Sequence, residues 1–75
     1  MRYVMISSPE YPTRVVRCDG VDECLDVVAT EADTQPNGAI FNLMEVRKDS
    51  VVPIARWAKV RGKLVRGQAP RRRRR

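Results

Sequence analysis

Alternating side chains mark two short runs at the start of the chain. Residues 2–7 (RYVMIS) and residues 13–18 (TRVVRC) are rich in strand-forming residues, with successive side chains expected on opposite faces. This pattern predicts two β-strands. Two prolines lie between them and cannot donate hydrogen bonds to a strand ladder. The segment between the runs is therefore predicted to be the loop of a hairpin.

A helical spacing follows the Asp19-Gly20 turn signal. Apolar residues recur at intervals of three or four and form a single stripe, which predicts an amphipathic helix. The stripe comprises Val21, Cys24, Leu25, Val28 and Ala32. Asp19 is expected to cap the helix, because its carboxylate can accept hydrogen bonds from the first turn. Acidic residues near this end also suit the positive end of the helix dipole.

A third strand is predicted after the loop at 34–38, where Asn-Gly is a strong turn signal. Residues 39–47 (AIFNLMEVR) are partly apolar on both faces. Such a strand is expected at the centre of a sheet, with the helix covering one side.

The segment after Ser50 fits two structures. The density of valines in 51–60 favours a strand that returns beside the third one. The alternative is a helix begun at Ser50, but Gly62 would then lie in its interior at a cost of about 1 kcal/mol. In both geometries Lys59 and Lys63 are predicted to share a face with nearby arginines.

These elements predict an α+β fold in one small domain, residues 1–67, followed by a flexible arginine-rich tail, residues 68–75. The favoured order is ββαββ, an antiparallel sheet with one helix packed on one face. The alternative is ββαβα with a basic amphipathic helix at the C-terminal end. A core of this size supplies only about 3–5 kcal/mol, so a homodimer that covers a sheet edge would add stability.

Charge divides this short chain into two unequal parts. Residues 47–75 hold twelve of the fifteen basic residues and one acid, Asp49, for a formal charge of +11, whereas residues 1–46 carry −5. A concentration of this kind predicts a polyanionic partner, nucleic acid, bound at the C-terminal side. Arginine suits phosphate because its planar guanidinium is always charged and can donate two parallel hydrogen bonds.

The predicted phosphate-binding surface has a folded part and a tail, with Trp57 available to stack an unpaired base. No recognition helix, zinc finger or RNA-recognition strand pattern is present, so low sequence specificity is expected. The candidate nucleic-acid-binding residues are Arg47, Lys48, Arg56, Trp57, Lys59, Arg61, Lys63, Arg66, Arg71, Arg72, Arg73, Arg74 and Arg75.

A protein partner is the alternative function. A small adaptor or inhibitor would dock through an exposed sheet edge or through the acidic helix, where Asp22, Asp26 and Glu31 are the candidate residues. The small size and layout resemble in style the accessory proteins of phages and mobile elements, although no motif is shared.

Catalysis, metals and membranes fit the sequence poorly. The chain has no histidine, no phosphate-cradling glycine loop and no nucleophile elbow, so we expect no enzyme and no cofactor. Cys18 and Cys24 lack the further ligands of a zinc site, and without a secretory signal they are expected to be reduced, buried thiols. No run approaches the ~18 apolar residues of a membrane span. The expected location is the cytoplasm, or the nucleoid or nucleus if nucleic acid is bound.

Overall fold

A computed structural model describes residues 1–67 and confirms the α+β class. It contains five strands and one helix in an antiparallel arrangement. The predicted flexible tail, residues 68–75, lies outside the described residues. The elements are β1 (Arg2–Ser7), β2 (Arg14–Cys18), α1 (Val21–Thr34), β3 (Ile40–Val46), β4 (Val51–Val60) and β5 (Lys63–Gly67).

The strands form one sheet in the order β2-β1-β3-β4-β5. β1 and β2 make the predicted hairpin, and β3 pairs with both β1 and β4 near the centre of the sheet. The register between β3 and β4 shifts at a β-bulge. Leu43 pairs with Ala55 and the next residue, Met44, pairs with Pro53, so Ile54 is an extra residue on β4. Proline lacks an N–H, so a bulge is one of the places where a sheet tolerates it.

The core lies between α1 and one face of the sheet. Alternation places Val4 and Ile6 of β1 opposite Leu43 and Phe41 of β3 on this face, and all four side chains are buried. The helix adds its apolar stripe, of which Cys24, Val28 and Ala32 are buried. Val21 and Leu25 also belong to the predicted stripe but are 47% and 42% exposed, so the buried stripe is narrower than predicted.

The segment after Ser50 forms two strands, β4 and β5, and not the alternative helix. β4 ends at Val60, Arg61 and Gly62 make a two-residue turn, and Lys63 begins β5. Both turn residues have positive φ, 52° and 79° respectively, as a type I′ turn requires. Gly62 is thus the pivot of a hairpin, a position that glycine occupies without steric cost.

The start of the helix differs from the prediction in two ways. Gly20 rather than Asp19 is the N-cap residue, and no side chain caps the helix; instead the Asp19 backbone N–H donates to Oε1 of Glu23 at 3.1 Å. Cys18 and Cys24 form a disulfide with a Cα–Cα distance of 5.2 Å, so the prediction of reduced thiols is wrong. The turn at 19–20 brings the end of β2 beside the first turn of α1, and sequence spacing alone does not reveal this.

No helix within residues 1–67 is long and apolar enough to cross a membrane.

Candidate nucleic-acid interface

The face of the sheet opposite α1 is defined here as the open face. Strand alternation assigns to it Tyr3 and Met5 of β1, with Arg17 and Val15 of β2 as their direct partners. On β3 it carries Ile40, Asn42 and Met44. On β4 and β5 it carries Arg56, Ala58, Val60, Lys63 and Val65. In the described part of the chain no helix covers these residues, and Val15, Val60 and Val65 are 59%, 47% and 51% exposed.

Three cations and no carboxylate lie at the strand positions of the open face. The cations come from three strands: Arg17 from β2, Arg56 from β4 and Lys63 from β5. The acidic residue adjacent to this surface is Asp19, just beyond β2, whose carboxylate is 3.9 Å from Nε of Arg17 with both side chains exposed. An exposed pair at this distance contributes little energy, so Arg17 is available to a stronger anion.

An apolar strip with one amide separates the cations. Tyr3, Met5 and Met44 are half-buried side chains at the middle of the open face. Among them Asn42 pairs directly with Arg56 across β3 and β4, and its Oδ1 atom has no hydrogen-bond partner in the described part of the chain. This Oδ1 atom is buried, and a buried polar atom without a partner costs about 1–3 kcal/mol.

Lys59 serves the fold from the other side of the sheet. Its Nζ donates to the carbonyl oxygens of Ala32 and Gln35, both at 2.7 Å. These carbonyls end α1, whose last turn contains no basic residue, so Lys59 binds groups that the helix leaves unpaired and offsets the negative end of its dipole. The prediction that Lys59 and Lys63 share a face is wrong. Lys63 pairs with Val60 and therefore shares its face, whereas Lys59 precedes Val60 in β4 and points to the opposite face.

Trp57 also lies on the helix side. It packs against the buried core and is only partly exposed, and the guanidinium of Arg66 lies 5.5 Å from the centre of its ring. This cation–π contact occupies a ring face that the sequence analysis considered for base stacking. Trp57 and Arg66 therefore form a pair separate from the open face.

The remaining predicted cations lie at the two ends of the sheet. Arg61 is exposed in the turn between β4 and β5. Arg47 and Lys48 are exposed in the turn between β3 and β4, at the other end, and Arg47 is 3.7 Å from the carboxylate of Glu45. The folded cations are thus distributed over both faces and both ends. Arg71, Arg72, Arg73, Arg74 and Arg75 lie outside the described residues.

The candidate protein-binding residues separate into two groups. Asp22 and Asp26 are exposed on the outer side of α1. Glu31 points toward β2 instead, where Oε1 is 3.1 Å from Nε of Arg14, and its side chain is only 17% exposed. The acidic surface offered by the helix is therefore smaller than the sequence predicted.

Sequence reasoning missed three residues of the open face: Tyr3, Arg17 and Asn42. Each lies outside the basic C-terminal third, where the charge pattern predicted the binding surface. Strand alternation in residues 2–7 and 13–18 did carry the signal, since it separates Arg17 from Arg14. Alternation alone does not show which strands are neighbours. The pairing of β1 with β3, which brings Arg17 and Tyr3 onto the same sheet face as Asn42, could not be predicted from the sequence.

Within residues 1–67 there is no group of three or more His, Cys, Asp or Glu side chains that could hold a metal ion. Comparisons with protein-family models, with curated proteins and with solved structures found no match.

Proposed function

We propose that this protein is a non-catalytic nucleic-acid-binding accessory protein that contacts phosphates through its basic C-terminal third and reads little sequence. The observation that carries the proposal is the composition of the β4–β5 hairpin. Residues 51–67 hold five basic residues and no acidic one. A folded hairpin of this charge is an electrostatic footprint suited to a phosphate backbone.

The position of the acidic residues supports the same proposal. α1 holds five acidic residues and no basic one, and it packs on the face of the sheet opposite the open face. Phosphates would be repelled from the helix and attracted to Arg56 and Lys63 on the open side of the hairpin, which orients the ligand. A helix of this charge is unsuited to the major groove of a duplex, so direct base readout by a helix is not expected.

A salt titration of binding to oligonucleotides tests the proposal. If about five phosphates are contacted, affinity should fall roughly 100-fold between about 50 and 200 mM salt. Deleting residues 71–75 removes five charges and should both weaken binding and flatten the salt dependence. Binding that is insensitive to salt, or a complete lack of binding in dilute buffer, would contradict the proposal.

The proposed ligand also bears on location. A protein that binds nucleic acid would do so in the cytoplasm, the nucleoid or the nucleus, where thiols are normally kept reduced. The disulfide of Cys18 and Cys24 fits an oxidising environment better. Acid quenching of cells, followed by alkylation of the denatured protein and mass measurement, decides the point, because both cysteines are buried in the folded chain. Two blocked thiols support the cytoplasmic proposal, and a protein that remains unalkylated contradicts it.

A protein-binding adaptor or inhibitor is the second candidate, favoured by the exposure of Asp22 and Asp26 on the outer side of α1. Their charges lie one helical turn apart and are suited to a basic partner. A stoichiometric protein retained after nuclease treatment, and lost when both residues are changed to lysine, would support this function. The same reversal should leave oligonucleotide binding intact or strengthen it if the first proposal holds.

A further inference from the structure

No element within residues 1–67 covers the open face, and the charge of this face restricts what can occupy it. Arg17, Arg56 and Lys63 supply three positive charges, and the strand positions around them supply no negative charge. A second copy placed on this face would bring like charges together, which costs free energy. An anionic ligand gains from the same arrangement. The face is therefore complementary to a polyanion rather than to itself.

Its apolar content restricts the ligand further. Tyr3, Met5 and Met44 lie between Arg17 on β2 and Arg56 on β4, and these two cations are separated by three strand spacings, roughly 14 Å. The bases of a duplex are stacked on one another and present only their edges. Unpaired bases expose their flat faces, and aromatic and apolar side chains on a sheet bind them well.

From these observations we propose that the open face binds single-stranded nucleic acid, with bases on the Tyr3 strip and phosphates at Arg17, Arg56 and Lys63. This inference rests on the proposed function and names its ligand class. The Asn42 carboxamide, whose Oδ1 atom is buried, adds one polar side chain to this strip beside Arg56.

The location of Arg17 makes the inference testable separately from the general electrostatic proposal. Arg17 and Arg14 belong to the same strand and carry the same charge, yet they lie on opposite faces. Arg14 faces α1 and pairs with Glu31, whereas the Arg17 side chain is 72% exposed on the open face. Attraction by net charge alone predicts equal effects for the two residues, but contact with the open face predicts a loss only for Arg17.

The experiment uses the full 75-residue chain, fluorescence anisotropy and a labelled single strand of about 12 nucleotides, within the site sizes of single-strand-binding folds. Arg17→Gln should weaken binding about fivefold to tenfold and reduce the salt slope by about 0.7, as expected for one phosphate contact to a single strand. Arg14→Gln should leave affinity within about twofold and the slope unchanged. Thermal unfolding of both variants controls for folding.

A second pair of variants tests base contact. Tyr3→Leu keeps an apolar side chain but removes the ring, and should weaken single-strand binding about tenfold. Tyr11→Leu changes an exposed tyrosine in the β1–β2 loop and should have no effect. A duplex of the same sequence should bind the unmodified chain more weakly than the single strand does.

Three outcomes would overturn the inference. Equal affinity for duplex and single strand, with Arg17 and Arg14 variants alike, would overturn it while leaving the proposed function standing. Tighter binding of polyglutamate than of the oligonucleotide, lost in Arg17→Gln, would assign the face to an acidic protein. Failure of every oligonucleotide to bind in dilute buffer would remove the proposed function, and the inference with it.

Discussion

At the scale of single residues, the turn between β4 and β5 places a basic residue, Arg61, in an unfavourable backbone conformation. Arg61 has φ 52°, in the left-handed region that costs an ordinary L-residue about 1–2 kcal/mol. Asparagine tolerates this region better and is preferred at this position of a type I′ turn. The turn therefore carries a cation at a position where another residue would be more stable.

The Arg61→Asn variant should raise the free energy of unfolding by about 0.5–1 kcal/mol, because it relieves the unfavourable φ. Gly62→Ala should lower it by about 1 kcal/mol, since alanine would be forced to φ 79°. Urea titration of each variant measures both effects. A stability gain in Gly62→Ala would show that the hairpin does not turn as described.

At the scale of elements, two connections hold α1 on the sheet, one at each end. The disulfide ties the first turn to the end of β2, and Lys59 binds the last carbonyls from β4. The helix itself has no side-chain N-cap and no basic residue in its last turn. Tertiary contacts therefore supplement the local hydrogen bonds of Glu23 and Thr34 at the helix ends.

The Lys59→Met variant should lower the free energy of unfolding by about 1–2 kcal/mol, because the carbonyls of Ala32 and Gln35 lose a charged donor. In a chain of this size the melting temperature should fall by about 4–8 °C for each kcal/mol. Lys63→Met is the matched control, since Lys63 is exposed on the open face, and should change stability by about 0.5 kcal/mol or less. Equal stability of the two variants would contradict the structural role of Lys59.

Loss of the disulfide should cost about 2–3 kcal/mol, because the cross-link closes a short loop and restricts the unfolded chain. Guanidinium unfolding of the oxidised chain, the reduced chain and the variant with Cys18→Ala and Cys24→Ala measures this. Reductant should destabilise the unmodified chain and leave the double variant unaffected. Identical unfolding of oxidised and reduced chains would contradict the stabilising role of the cross-link.

The comparison of sequence with structure is also clearest at the level of elements. Periodicity predicted the helix, the β1–β2 hairpin, β3 and β4, because each of these segments has a strong apolar pattern. β5 was missed, since Arg-Gly is not a characteristic hairpin dipeptide and residues 63–67 are too short to show alternation. The same omission misplaced Lys63: a two-residue turn pairs the residues that flank it, so Val60 and Lys63 share a face.

At the scale of the whole molecule, the acidic residues of α1 are confined to one face of the sheet, whereas cations lie on both faces. The acidic helix lies on one side, while Arg17, Arg56 and Lys63 lie on the other. The sequence predicted this separation only along the chain, as an acidic first part and a basic last part. The fold places only part of the basic segment, Arg56 and Lys63, on the open face and adds Arg17 from the acidic part of the chain.

The most direct test of this account is to map where nucleic acid binds. We propose to titrate a short single strand into the isotopically labelled full-length chain in dilute buffer and to follow the backbone amide resonances. The account predicts shifts in β4, β5 and the residues around Tyr3 and Arg17, with the outer side of α1 unchanged, and their reversal when salt is added. Shifts confined to α1, or no shifts at all, would contradict it.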